Sequence, residues 1–427
     1  MILYGLVFSW CFLGCPPGRN GPESATLRFL SGNGSPTDPT FVAVQEGEGE
    51  WIPPQSVARG EYTFELNDPR GRYGVAYVCQ NNEVNLIYTT THEIPFPFTI
   101  ACPLGEDLPR GVIKGSLAGA MRWFVAIGDK NCLECSSLSD YSLNPPADRP
   151  LDLFAWAITF SSSLEVRFYL ERGITVPGDP RSPVIRDLDF SRMASGISYP
   201  ANITLSRQGD FLESWIGFLI TQNGTFGFLP PRWLDYFWQP PPSLFVAEDL
   251  MGYILEITST SEPYEERFLE ERRIIFHQVP KNQEIRDTWD IPPLTLPAFY
   301  EITKIPYFRP GITFPTYSVT GMNLLDFQLR LQNFSSPTPL TWSVLVTPDR
   351  LPSLVIPDLT RVSGWQSSWG LGSDPKALLW SVSATVSETL TSRDLQQILG
   401  FYQPVSLLRY ILRGAYGIAN LSGSFSP

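Results

Sequence analysis

A repeated strand-and-turn signature limits what this chain can become more than any other feature. "FVAVQEGEGEW" (41–51) alternates apolar positions and breaks into a Gly/Glu loop, and "GEYTFELNDPRGRYGVAYVC" (60–79) follows it. The same order returns as "FVAIGDKNC" (124–132) and "DYSLNPPADRPLDLFAWA" (140–157). Side chains of a strand point alternately to opposite faces, so short runs of this period cut by turn residues predict antiparallel two-sheet sandwiches. The two copies lie a domain length apart, which predicts tandem domains and not a solenoid. The 40 prolines, about twice ordinary usage, agree, because proline neither donates to a sheet ladder nor sits inside a helix.

The pattern continues down the chain. "LEVRFYLERGITV" (164–176) reads as a pair of edge strands, and Gln222-Asn223-Gly224-Thr225 as a hairpin turn. "MGYILEITSTS" (251–261) and "ERRIIFHQV" (271–279) supply further strands. A Pro-rich stretch, 290–315, opens a last domain with strands in 324–334, 340–348 and 377–387. Only "TSRDLQQILG" (391–400) reads as helix, with Asp394 in its first turn and Gly400 at its end. The expected fold class is all-β, with tandem antiparallel β-sandwich domains. The expected divisions are a repeat at 25–106, a second at 107–200, a β-rich region at 201–289 and a C-terminal β domain at 290–427.

The 60–79 segment resembles the central hairpin of carboxypeptidase-regulatory-like (transthyretin-like) domains at Gly60, Tyr62, Phe64, Gly71, Tyr73, Val75 and Tyr77. The second copy keeps Tyr141, Leu143, Leu151, Leu153 and Ala155. This resemblance implies a non-catalytic β-sandwich module used in bacterial envelopes as spacer, scaffold or adhesive unit.

The first fourteen residues, "MILYGLVFSWCFLG", carry no charge. As a helix they would reach about 21 Å, short of the roughly 30 Å hydrocarbon core, so the length suits the apolar region of a signal peptide better than a permanent span. The run ends in "CFLGC", which resembles the lipobox of bacterial lipoproteins. That resemblance implies that 1–14 is removed, that Cys15 is diacylglycerated, and that the membrane is a partner through this lipid. The Pro/Gly-rich 15–24 then reads as a tether. An unlipidated secretory signal and a buried first strand, "LVFSWCF", stay open beside it.

Export would place the remaining cysteines, Cys79, Cys102, Cys132 and Cys135, in an oxidising compartment, where an even number suits a disulfide framework. Cys79 with Cys102 is the preferred pair, worth about 3 kcal/mol on chain-entropy grounds. Cys132-Leu-Glu-Cys135 is a lone CxxC, read as a short disulfide in a hairpin loop. No metal site and no cofactor are expected. The 43 acidic against 31 basic residues give a formal charge of −12, which repels phosphate backbones and argues against nucleic acid.

Chemistry-bearing candidates are few. The two histidines, His92 and His277, have no nucleophile-elbow motif to serve. Asp210 with Glu213, and Asp287 with Asp290, are the least arbitrary carboxylate pairs for glycoside hydrolysis, but sequence neighbours rarely face each other across a cleft. "SGWQSSWGLGSDPKALLW" (363–380) reads as strand-turn core. In "LPPRWLDYFWQPPPSLF" (229–245), Trp233, Tyr236, Phe237 and Trp238 flank Asp235. Exposed, Trp233, Tyr236 and Trp238 would form an aromatic platform for sugar rings; buried, they pin a loop over a sandwich edge. The expected function is a structural or binding (scaffold or adhesion) role in the cell envelope, with a glycan or an envelope protein as partner. A carbohydrate-binding or carbohydrate-active surface protein is the alternative.

Overall fold

The computed structural model describes residues 23–79, 83–102, 109–133, 139–160, 163–230, 236–259, 270–303, 307–334, 340–400 and 404–424. The chain is all-β, with two short helices, among the described residues, in its last part. Strand pairing groups it into four units.

The first unit has strands β1 (Glu23–Leu30), β2 (Phe41–Glu46), β3 (Trp51–Ile52), β4 (Gln55–Ala58), β5 (Glu61–Leu66), β6 (Arg72–Val78), β7 (Glu83–Thr90) and β8 (Phe98–Ala101). One sheet runs β4-β5-β1-β8, with β8 parallel to β1; the other runs β3-β2-β6-β7. The resembling segment 60–79 is therefore not a hairpin. β5 pairs with β1 and β4, whereas β6 pairs with β2 and β7. Phe64 and Tyr73 meet across the sandwich instead of side by side in a ladder, with ring centroids 6.3 Å apart. Alternation cannot separate these cases, since either puts every second side chain into one core. Asp68 makes the corner by accepting from the amides of Arg70 and Arg72 and pairing with the Arg72 guanidinium at 2.8 Å. The Cys79–Cys102 disulfide, with Cα atoms 5.6 Å apart, then ties β6 to the end of β8 and so joins the two sheets.

The second unit repeats that order. Its strands are β9 (Ile113–Ala118), β10 (Arg122–Ile127), β11 (Lys130–Leu133), β12 (Asp140–Leu143), β13 (Pro150–Phe160), β14 (Leu164–Thr175), β15 (Val184–Ile185), β16 (Leu188–Asp189) and β17 (Ala194–Ser195). The sheets are β12-β9-β15, with β15 parallel to β9, and β11-β10-β13-β14-β17. Residues 164–175 form one long strand against β13, not a pair of edge strands. β13 is buried on both sides over most of its length. Leu153, Ala155 and Ala157 face the core of this unit, while Phe154, Trp156 and Ile158 join the core shared with the other units.

The third unit has β18 (Ile197–Leu205), β19 (Asp210–Ile220), β20 (Phe226–Phe228), β21 (Tyr236–Gln239), β22 (Leu250–Ser259), β23 (Glu270–Gln278) and β24 (Ile285–Trp289). Again one sheet is β21-β18-β24 with β24 parallel to β18, and the other begins β20-β19-β22-β23. The division expected after residue 200 falls inside β18. Asn223-Gly224 sits in the β19–β20 hairpin.

The fourth unit has β25 (Ala298–Thr303), β26 (Arg309–Thr313), β27 (Asn323–Asn333), β28 (Leu340–Val346), β29 (Ser353–Val355), β30 (Leu378–Ser387) and β31 (Tyr416–Ser424). Its small sheet is β25-β26-β29, so β25 occupies the side that β8, β15 and β24 take elsewhere, but antiparallel. Between β30 and β31 lie helices α1 (Leu395–Gly400) and α2 (Pro404–Ile411). Thr391 and Asp394 form the capping box ahead of α1.

Three of the four units are not beads on a string. Their larger sheets join edge to edge as one twelve-stranded sheet, β20-β19-β22-β23-β31-β30-β27-β28-β7-β6-β2-β3. β23 pairs antiparallel with β31, and β28 pairs parallel with β7. Each join satisfies two rows of backbone groups that an edge strand leaves open. On β6, Tyr73, Val75 and Tyr77 pack with the first unit's small sheet. Ala76 and Val78 belong to the core that also holds Ile312 and Leu354 of the fourth unit and Phe237 and Ile285 of the third. Small sheets therefore cover both faces of the shared sheet, and Leu395, Tyr410 and Leu412 from the helical segment extend that cover.

The second unit docks on the third. Gly227 makes this approach possible, because a Cβ there would stand 2.4 Å from Cδ1 of Phe154. Trp156 Nε1 donates to the Phe228 carbonyl at 2.8 Å. Arg172 of the second unit bridges buried Asp152 and Asp249, and Asn223 donates to Asp152 at 2.7 Å. Burial works against the Asp249 carboxylate, but Arg172 and the amides of Val246 and Gln222 outweigh it and hold its pKa below the usual range.

Candidate functional site

The residues expected to carry a site go to different places. Cys15, Cys135, Trp233 and Asp235 lie outside the described residues. Cys132 is buried on β11 and is disulfide-bonded. Tyr236 is exposed and Trp238 half-buried on one side of β21, while Phe237 points inward and stacks on Trp215 at 5.7 Å. Trp369 and Trp380 are core residues, and Trp342 Nε1 donates to the Trp369 carbonyl at 2.7 Å.

The acids expected in pairs have partners of their own. Asp210 binds the fully buried Arg273 through two contacts of 2.8 Å, and Glu213 is exposed. Asp290 lies 3.8 Å from Arg207. Asp287 accepts from the Tyr253 hydroxyl at 2.5 Å and stands 3.4 Å from Nδ1 of His277. The His277 ring packs edge-on between Tyr253 and Trp289. Burial opposes the Asp287 carboxylate, but His277 and Tyr253 bring its pKa below the usual range. Among the described residues, no group of three or more His, Cys, Asp or Glu side chains is placed to hold a metal ion.

The structure forms a site that the sequence did not indicate, where the first and fourth units meet. The β7–β28 ladder ends there. Beyond it the Thr347 amide donates to the Tyr88 carbonyl at 3.0 Å, and Glu93 accepts from the Thr347 hydroxyl and, at 2.9 Å, from the Asp349 amide. Burial pushes the Glu93 carboxyl up in spite of these donors. Beside this clasp opens a cavity of about 550 Å³. The first unit contributes Gln45, Glu48, Glu50, Trp51 and Tyr88; the fourth contributes Arg309, Arg350, Ser353, Asp358 and Arg361.

Each wall has a local cause. Trp51 follows the β2–β3 turn and lies against Gly74, where a Cβ would stand 2.8 Å from the indole. Its ring meets Tyr88 edge-on at 5.8 Å. Arg350, in the 3-10 turn after β28, stands 5.7 Å over the Tyr88 ring and 3.3 Å from Glu48, which also lies 3.4 Å from Arg72. Burial draws the Arg350 pKa down against the pull of Glu48. Arg309 uses Nε to donate to the Ile356 carbonyl at 2.9 Å. Asp358 accepts from the Thr360 amide and hydroxyl. Burial opposes its ionisation, but Thr360, Arg309 and Arg361 together hold its carboxyl below the usual range. Arg361 is exposed and takes part in no hydrogen bond or ion pair among the described residues. Aromatic faces, guanidinium groups and acceptors thus converge on one volume, the composition of a recognition site. Sequence reading missed it because its two halves lie some 260–300 residues apart, as the Thr90–Asp349 and Gly47–Arg350 contacts show.

No family model matches the chain, and no curated protein matches it. Among solved structures, the Bacillus anthracis TIE protein shares 10% identity over 62% of this chain and 49% of its own, with a TM-score of 0.15. This chain thus spans about half the length of that protein. A Ca2+-stabilised adhesin with which an Antarctic bacterium binds ice shares 10% identity over 86% of this chain and 95% of its own, at a TM-score of 0.16. A tetra-tandem repeat from the extending region of a large adhesion protein shares 9% over the same proportions, at 0.13. Scores this low carry no argument about this chain.

Proposed function

We propose that this chain is a lipid-anchored protein of a bacterial cell envelope, built from transthyretin-like sandwich modules, with a scaffold or adhesion role and no chemistry of its own. The observation that carries the scaffold reading is the twelve-stranded sheet that fuses three units through the β23–β31 and β28–β7 ladders. Backbone ladders across these two joins resist bending and separation of the three units, which flexible linkers would not do. The strand order that the first three units share supports a repeated sandwich module. The Cys79–Cys102 disulfide supports an oxidising compartment. Anchoring rests on "CFLGC" and the Pro/Gly tether after it.

The test is expression in a bacterial host, fractionation, and intact mass of the mature chain beside Cys15→Ala. A diacylated N-terminal Cys15 in the membrane fraction, lost in the variant, is the expected result. An unmodified chain beginning at Met1 in the soluble fraction would overturn the anchoring.

A further inference from the structure

We propose that the cavity between the first and fourth units binds an acidic saccharide, with a uronate-type carboxylate held by Arg309 and Arg361 and a pyranose face laid on Trp51. The inference goes beyond the scaffold reading and does not depend on lipid anchoring. At about 550 Å³ the cavity falls within the range of roughly 300–1,000 Å³ common to small-molecule sites.

Three guanidinium groups, Arg309, Arg350 and Arg361, and three carboxylates, Glu48, Glu50 and Asp358, line the cavity, and they differ in how far they are already engaged. Glu48 is engaged by Arg350 and Arg72, and Asp358 by Thr360. Arg361 bonds nothing among the described residues, and Arg309 commits only Nε. Both guanidinium groups line the cavity together with Asp358. A planar carboxylate matches the fork of a guanidinium. On the other side, Trp51 is held by Gly74 and Tyr88, which suits an apolar ring face.

The remaining lining separates this ligand from its competitors. Glu50, Gln45 and Ser353 offer acceptors to a ligand rich in hydroxyl donors. An acidic peptide brings no row of hydroxyl donors to these acceptors. A neutral sugar would offer Arg361 no carboxylate, and an apolar ligand would desolvate three arginines without compensation.

The experiment titrates the full chain with trigalacturonate, its methyl ester, maltotriose and hexaglutamate, followed by calorimetry. Trigalacturonate is expected to bind, and esterification to weaken it about ten-fold or more, because hydrogen bonds between charged partners are lost. Arg361→Gln is expected to weaken trigalacturonate by a similar factor with thermal unfolding little changed, since this exposed side chain makes no hydrogen bond or ion pair among the described residues. Arg309→Gln should act in the same direction. Four results would each overturn the proposal: no heat of binding at about 10 mM trigalacturonate, roughly ten times a millimolar Kd; equal binding of the ester or of maltotriose; tighter binding of hexaglutamate; or Arg361→Gln binding as wild type.

Discussion

Replacing Asp326 by Asn should stabilise this protein above neutral pH and leave it nearly unchanged in acid. Asp326 sits in β27 at the bulge beside β30, and only 1% of it is exposed. Its Oδ1 accepts from the Thr385 hydroxyl at 2.9 Å and from Gln328 Nε2 at 3.2 Å. Burial disfavours the charged carboxylate more than these two donors favour it, so the pKa is pushed up from 3.8 to about 6. The folded state therefore holds a proton that the unfolded chain has released between those values, and stability falls as pH rises from about 4 to about 6. A gap of roughly two units at 1.36 kcal/mol each puts the cost of ionised Asp326 at about 3 kcal/mol from pH 7 upward. An Asn carbonyl can accept from the same two donors without charge. Urea unfolding of wild type and Asp326→Asn, compared at pH 4, 5.5 and 8, reads the effect as a difference between two nearly identical proteins. The variant should gain up to about 3 kcal/mol at pH 8 and close to nothing at pH 4. A difference that stays constant across this range, or a variant less stable at pH 8, would refute the reasoning.

Two further perturbations test the framework. Asp210→Ala leaves the Arg273 guanidinium, fully buried and otherwise 3.3 Å from Glu271, with its main counter-charge gone; a loss of about 3 kcal/mol is expected in urea unfolding, whereas Asp210→Glu should recover part of it. Converting Cys79 and Cys102 together to Ala should lower stability by about 3 kcal/mol, matching wild type in reductant; an unchanged midpoint would show that the bond constrains nothing.

Much of the local structure was legible in the sequence. Alternation in 41–51 and 60–79 marked strands, Asn223-Gly224 marked a hairpin, and Thr391 with Asp394 marked a helix start. The 79–102 disulfide is the pair preferred from cysteine placement. Misreadings came where one pattern has two tertiary solutions. Residues 60–79 alternate whether their strands lie side by side or face each other across a core. Phe237 reads as part of an aromatic surface cluster, yet the strand pleat turns it inward onto Trp215. The fusing edges β7, β23, β28 and β31 carry no residue code for their partner, since backbone ladders are the same for any sequence that fits the register.

By itself, then, the sequence determined the strands, their repeat and the covalent link, because period, turn chemistry and thiol placement act over a few residues or through one bond. Only the tertiary structure decided which edges meet, and with them the cavity lined by Trp51, Tyr88, Arg309 and Arg361. Those residues come together because the β7–β28 ladder brings segments some 260 residues apart into one sheet, a long-range choice made by packing and backbone pairing.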